Sequence, residues 1–312
     1  MNSQIDLGEP EVLATGLRFP EGPVACDDGS VLLVEIAGER LTRVSADGTV
    51  ETVAEIPGGP NGAAVGPDGW IWITNNGGSF SYIDFGEFML PGPVPPSWVS
   101  GSIQRVDPTS GAVETIYTEC NGRPLRSPND LVFDEHGGFW FTDHGVRLER
   151  SSDLTGVFYA LADGSSITEV LFPLEAPNGV GLSPAGDRLY VAETHTGRIW
   201  QWDVPQPGKA VGSGIMAPHG DLLAGLAGHQ LLDSLAVDSE GNVCAGTLVN
   251  GGITVVSADG SSVQHLPIDD LLVTNIAFGG PDMRTAYVTS SGTGRLLAFD
   301  WHCPGLRLNY QC

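Results

Sequence analysis

Basic residues are scarce in this chain. Against 38 Asp and Glu stand 14 Lys and Arg over 312 residues, a formal net charge of -24. Such a surface repels polyanions at long range, so nucleic acid and acidic membrane surfaces are excluded as partners. Cysteine is sparse too. Cys26, Cys120, Cys244, Cys303 and Cys312 show no CxxC or Cys/His zinc spacing, and their number is odd. Neither a disulfide framework nor a structural zinc site is expected. Cys303 and Cys312 are close enough to pair if oxidised, but free thiols in a reducing compartment are the expectation. There is no run of about 18 apolar residues, and the opening MNSQIDLGEPEVL carries no basic segment followed by an apolar one. A soluble, cytoplasmic protein is therefore expected. A Gly-x-Ser-x-Gly elbow and a phosphate-cradling glycine loop are also missing, which removes support from serine-hydrolase and nucleotide chemistry.

What the chain has in quantity is turn chemistry. It holds 43 Gly and 22 Pro with 17% charged and 41% hydrophobic residues, a balance of many short strands around a packed core. Internal repetition accounts for it. The copies are FPEGPVACDDGSVLLVEIAGERLTRVS from Phe19, GPNGAAVGPDGWIWITNNGG from Gly59, SPNDLVFDEHGGFWFTDHG from Ser127, APNGVGLSPAGDRLYVAETHTGRIWQWD from Ala176, LLDSLAVDSEGNVCAGTLVNGGITVVS from Leu231 and VTNIAFGGPDMRTAYVTSSGTGRLLAFD from Val273. Each reads as a polar anchor, an apolar strand, a turn, a second strand, a Gly-containing turn and a third strand.

Segments such as Val50-Glu51-Thr52-Val53 and Val113-Glu114-Thr115-Ile116 supply a fourth strand. The pattern predicts an all-β, six-bladed propeller of four-stranded antiparallel blades spanning 1–312 as one domain, with blades starting near 16, 59, 127, 176, 231 and 273. Glu11-Val12-Leu13-Ala14 is expected to close the ring as an outer strand of the last blade. An insertion from about Gly78 to Ser100, with Phe80, Tyr82, Phe85, Phe88, Trp98 and four prolines, is expected to form a wall beside the channel mouth. The Gly-rich stretch from Pro205 to Gly228 gives no clear signal.

The anchor position carries Glu21, Asn61, Asn129, Asn178, Asp233 and Asn275. First strands of a propeller line its central channel, so these side chains converge around the axis. All offer oxygen and none a thiolate or imidazole, which suits one hard divalent cation neutralised by Glu21 and Asp233. Calcium is the first choice, with magnesium, manganese, zinc and ferrous iron as rivals. A single Asn-Gly reads as turn chemistry; recurrence at every repeat changes that reading. His195 and the Asp143-His144 pair follow buried-looking strands and are candidates to reach the mouth, although a lone His in such a place is more often a hydrogen-bonded loop residue, while Thr196-Gly197-Arg198 and Thr293-Gly294-Arg295 read as hairpin turns.

FPEGP at Phe19, SPNDL at Ser127, APNGVGLSP at Ala176, LDSLAVD at Leu232 and the tail TNIAFGG…YVTSSGTGRL together resemble the family of gluconolactonase, senescence marker protein and luciferin-regenerating enzyme. The resemblance covers essentially the whole chain. It implies a propeller whose divalent ion is held by Glu21, Asn129, Asn178 and Asp233. It also implies hydrolysis of a small lactone. Because a carboxylate touching the ion can accept a proton while in reach of the attacking water, Asp233 is the expected general base, with Asn129 expected between ion and substrate. Asn61, His195 and Asn275 complete the expected substrate contacts. Mammalian sugar-lactonase members carry an Arg two residues before the Asn of the Asn-Asp pair; here that place is Ser127, beside Arg126, which puts an aldonolactone substrate in question. A phosphotriesterase or other ester hydrolase on the same ion, and a propeller that only binds a ligand, are the alternative functions.

Overall fold

Residues 5–312 are described by a computed structural model, and every regular element among them is a β-strand. The first blade runs Pro20–Ala25, Val31–Glu35, Arg40–Val44 and Val50–Glu55 in that spatial order, all antiparallel. First strands at Pro60–Val65, Pro128–Phe133, Pro177–Leu182, Leu231–Val237 and Val273–Gly279 open five further sheets, so the chain is a six-bladed β-propeller. Second strands are buried along nearly all their length, and Ile71–Asn75 and Gly138–Asp143 along all of it. Blades packed on both faces need apolar residues on both, which is why these segments read as continuous apolar runs.

Packing within and between blades forms the core. Trp72 of the second blade and Phe133 of the third meet edge to face with centroids 5.8 Å apart, and within the third blade Phe141 stacks on its cross-strand partner Phe158 at 5.0 Å. Glu11–Ala14 pairs antiparallel with Arg295–Asp300, closing the ring as anticipated. The Pro205–Gly228 stretch has more order than its composition suggests. Asp221–Gly225 pairs with Arg198–Gln206 as an outer strand of the fourth blade, and Lys209–Val211 pairs with the far end of the same strand.

Beyond the last blade the tail passes under the channel. Leu306 donates its N–H to Val237 O at 3.0 Å, Asn309 Nδ2 donates to Phe133 O at 2.9 Å, and the Tyr310 ring packs on Phe133. A cavity of about 80 Å³ remains between the first strands and the tail residues Leu306, Leu308, Tyr310 and Gln311. The tail ends in a disulfide between Cys26 and Cys312, 286 residues apart in sequence. This corrects the expectation of free thiols and of Cys303 as the candidate partner. Cys303 is buried and hydrogen-bonded to Asp238 instead, because the tail turns back toward the first blade after Trp301. Among the described residues no helix is long and apolar enough to cross a membrane.

Candidate metal centre

The anchors sit at the second or third residue of their first strands, and every one of those strands shifts register against its neighbour at that point. Such a bulge turns a side chain out of the sheet, here into the channel. Phe19 and Ala176, two residues before their anchors, take left-handed φ values of 57° and 50°. Small residues follow three anchors because neighbouring first strands nearly touch there. A Cβ on Gly22 would lie 2.7 Å from Ala63 N, and one on Gly62 or Gly179 would lie 2.6 Å from the backbone of the next blade. Threonines of the second strands stitch the seams: Thr74 Oγ1 donates to Asn129 O, and Thr142 Oγ1 to Asn178 O at 2.6 Å.

All six anchors are buried. Glu21 Oε2 accepts from Gly22 N at 2.6 Å and from Asn275 Nδ2 at 2.7 Å, while Oε1 is buried without a partner. Asn129 Oδ1 is likewise buried and unpartnered. Asn178 Nδ2 donates to Thr194 Oγ1 at 3.1 Å, and its Oδ1 accepts a long bond from Ser234 Oγ at 3.3 Å. Asp233 is the most open of the four expected ligands, 8% exposed against 2% for Glu21.

The other two anchors are tied into the ring. Asn61 Oδ1 accepts from Asn76 Nδ2 at 3.1 Å and its amide donates to Asn129 O at 3.3 Å. Asn275 Oδ1 accepts from Ile276 N at 2.7 Å. Both expected substrate contacts are thus spent on holding neighbouring ring members.

Three carboxyls crowd the axis. Burial drives Glu21 up to about 7 against the hydrogen bonds from Asn275 and Gly22. Burial and then the Glu21 charge raise Asp233 well above the carboxylate range. Asp130, whose side chain occupies the position that glycine takes after Glu21, Asn61 and Asn178, is pushed to about 8 by burial and by Glu21. Its Oδ1 and Oδ2 accept from Leu131 N and Val180 N. In the sequence Asp130 stands only as the second half of the Asn-Asp pair. Its pairing with Gly22, Gly62 and Gly179 in the repeat alignment was the available signal.

At the mouth, Asp143 accepts backbone N–H groups of Arg126, Ser127 and Gly145 at 2.7 to 3.0 Å, so its carboxylate organises the loop before Asn129 and is not free to act as a base. Glu35, Asn75 and Glu193 do the same for Arg18, Gly59 and Glu175 in other blades. These residues end the second strands VLLVE, IWITN and LYVAE, a recurrence the repeats already display. The His144 ring lies 6.2 Å from Phe80 and 5.7 Å from His195, and burial lowers His144 to about 4. His195 therefore lies beside His144, just after the second strand of the fourth blade. Its own value is lowered by burial and by Arg147.

The insertion closes over one side of this mouth. Tyr82–Asp84 pairs with Met89–Pro91, and Met89 N donates to Gly292 O of the sixth blade at 2.8 Å. Ser79 Oγ meets Ser127 Oγ at 2.9 Å, and the Arg126 guanidinium lies 4.4 Å over the Trp98 ring while bonding Asp153. Arg126 is accordingly turned to the insertion. The Tyr82 hydroxyl is buried and unpartnered; burial, then the Glu21 and Asp233 charges, hold its phenol well above the usual range.

Two other features lie away from the ring of anchors. Asp238, His302 and Cys303 approach one another near the tail. Both Asp238 oxygens already accept bonds, from Glu240 N and Asn242 N on one and from Asn242 Nδ2 and Cys303 Sγ on the other, so the cluster clasps the tail. A groove of about 370 Å³ between Asp134, Asp187 and Arg307 opens at the end away from the mouth and includes none of the six anchors.

A family model described as SMP-30/Gluconolactonase/LRE-like region matches residues 19–292. The chain is 27% identical to a gluconolactonase of Zymomonas mobilis over 83% of its own length and 73% of that protein. It is 28% identical to the lactonase drp35 of Staphylococcus haemolyticus over 80% and 70% of the two chains. Among solved structures, a gluconolactonase from Xanthomonas campestris superposes with a TM-score of 0.73 at 22% identity, covering 95% of this chain and 91% of the other. The calcium-binding protein regucalcin from Agrobacterium tumefaciens gives 0.72 at 18% identity, covering 99% and 100%.

Proposed function

The chain belongs to the SMP-30/gluconolactonase/LRE-like family, and from that premise we propose that it is a lactonase working around one divalent cation, calcium first among the candidates. The observation that carries the metal is the pair of orphaned oxygens. Glu21 Oε1 and Asn129 Oδ1 are buried without partners, an arrangement that leaves each with its full desolvation penalty unless something fills the ring. The donor set fits such a group. Two carboxylates and two amide oxygens match a hard cation of irregular coordination, and a positive charge there would offset the burial that raises Glu21 and Asp233. Glu21, Asn129, Asn178 and Asp233 are the residues that would hold it.

When bound, the cation supplies Lewis-acid stabilisation of the charge developing on the carbonyl oxygen and favours ionisation of a nearby water. The remaining work falls to the chain. Water adds to the acyl carbon, the ring C–O bond breaks, and the proton lost by the water ends on the departing ring oxygen, giving the hydroxy acid. Asp233, the most open of the four, takes that proton as general base and returns it. The Asn129 amide faces the substrate oxygen. Asn275 and Asn61 fix Glu21 and Asn129, and the apolar insertion keeps bulk water from the mouth.

The test is a panel of δ-valerolactone, D-glucono-1,5-lactone and an activated phosphotriester, assayed before chelation, after it, and after returning calcium or its rivals. Lactone opening that disappears on chelation and returns with one ion is the expected result. A chelated protein that retains its full lactonase rate overturns the metal, and turnover confined to the phosphotriester overturns the lactone.

A further inference from the structure

The insertion is built into the mouth at several points. It leaves the second blade after Asn76, contacts the third through Ser79 and Ser127, and reaches the sixth through Met89 and Gly292. Trp98 Nε1 donates to Asn76 O at 3.0 Å and ties its returning end. Tyr82 begins the hairpin, and its ring packs on Phe19 with centroids 5.1 Å apart, two residues before Glu21. The body of this side chain is thus accounted for by packing. Its hydroxyl is not: the oxygen is buried and has no hydrogen-bond partner. The carboxylates of Glu21 and Asp233 lie near enough for their charges to act on it. A Phe would fill the same space against Phe19 without burying an unpaired polar atom.

We infer that the Tyr82 hydroxyl is a substrate-binding donor, giving a hydrogen bond to an oxygen of the lactone seated between the insertion and the ring of anchors. The assignment rests on the lactonase reading and adds to it: substrate is gripped from the insertion as well as from the blades. It also gives the insertion a chemical part that a passive wall lacks. With Arg126 engaged with Trp98 and Asp153, the donor comes from a phenol and carries no charge.

The experiment compares wild type with Tyr82→Phe, both saturated with the activating ion, using δ-valerolactone and D-glucono-1,5-lactone as probes. Phe keeps the contact with Phe19, so folding is preserved, and melting temperature should stay level or rise as an orphaned hydroxyl is removed. KM should increase about tenfold, the effect of one neutral hydrogen bond, with kcat within about threefold and calorimetric metal affinity unchanged. Equal KM and kcat in the two proteins overturn the assignment. So does a loss of metal affinity, which would make Tyr82 part of the ion's surroundings. A wild type that opens neither lactone brings down the lactonase reading and this inference with it, whereas an active wild type matched by its variant brings down the inference alone.

Discussion

Asn275 Nδ2 donates to Glu21 Oε2 at 2.7 Å across the seam where the sixth blade meets the first, and Ile276 N fixes the Asn275 oxygen at 2.7 Å. The amide therefore occupies one Glu21 oxygen, while the other is buried without a partner. Groups that orient a metal ligand in this way are worth about 10- to 100-fold in metal affinity. Asn275→Ala should weaken calcium binding by that factor, read by calorimetric titration, while circular dichroism shows the blades intact. Unchanged affinity would mean that Glu21 needs no such support.

How far the sequence reaches is visible in this pair. Both residues were picked out by their place in the repeat, since a ring of equivalent positions follows from radial symmetry alone. Which anchors present oxygens and which are consumed by neighbours depends on contacts between blades, and repeat alignment carries no information on those. The tail is the larger omission. Residues 302 to 312 lie outside the repeat, so periodicity is silent about them, and the pairing of Cys26 with Cys312 joins positions 286 residues apart. The insertion could be located by its break in rhythm, but only its pairing with Gly292 and Phe19 reveals that Tyr82 comes to the ring.

His144 gives the fold a pH dependence of definite sign. Burial lowers it from 6.5 to about 4, with the neighbouring His195 adding to the effect. The unfolded chain then takes up a proton between those values while the folded one does not, so stability is lost as pH falls from about 6.5 toward 4. Allowing for its partial exposure, His144 should account for about 1 to 2 kcal/mol between pH 7 and pH 5. Urea unfolding of wild type and His144→Phe at the two pH values measures it. Phe packs beside Phe80 and carries no proton, so the variant should lose less stability than wild type over that interval; parallel losses would assign the dependence to other groups.

The Cys26–Cys312 bond closes almost the entire chain into a loop. Chain-entropy reasoning puts such a cross-link at about 6 kcal/mol as an upper figure, with about 2 to 5 the usual cost of removal. Cys312→Ser should lower the melting temperature by roughly 5 to 10 °C, and dithiothreitol should do the same to wild type but nothing further to the variant. Lactone turnover at 25 °C should persist, because the anchors are held by contacts between blades at the opposite end of the channel from the tail.

The separation of ligand from base is the hardest test of the proposed chemistry. Asn178 contributes a neutral oxygen that also accepts from Ser234 and is steadied by Thr194; once it is removed, water can take the vacated place. Asn178→Ala should therefore bind the ion less tightly and regain much of its rate when the ion is saturating. Asp233→Asn keeps shape and an oxygen but loses the proton acceptor, a change that costs about 10²- to 10⁴-fold in rate for a positioned base. It should stay slow at every metal concentration. Occupancy has to be measured directly in both variants, since a ring without its ion is also inactive. Near-full turnover of Asp233→Asn at measured full occupancy would remove Asp233 from the role of base. His195, beside His144, would then be the next side chain to replace, because Asp143 is committed to the backbone of Arg126, Ser127 and Gly145.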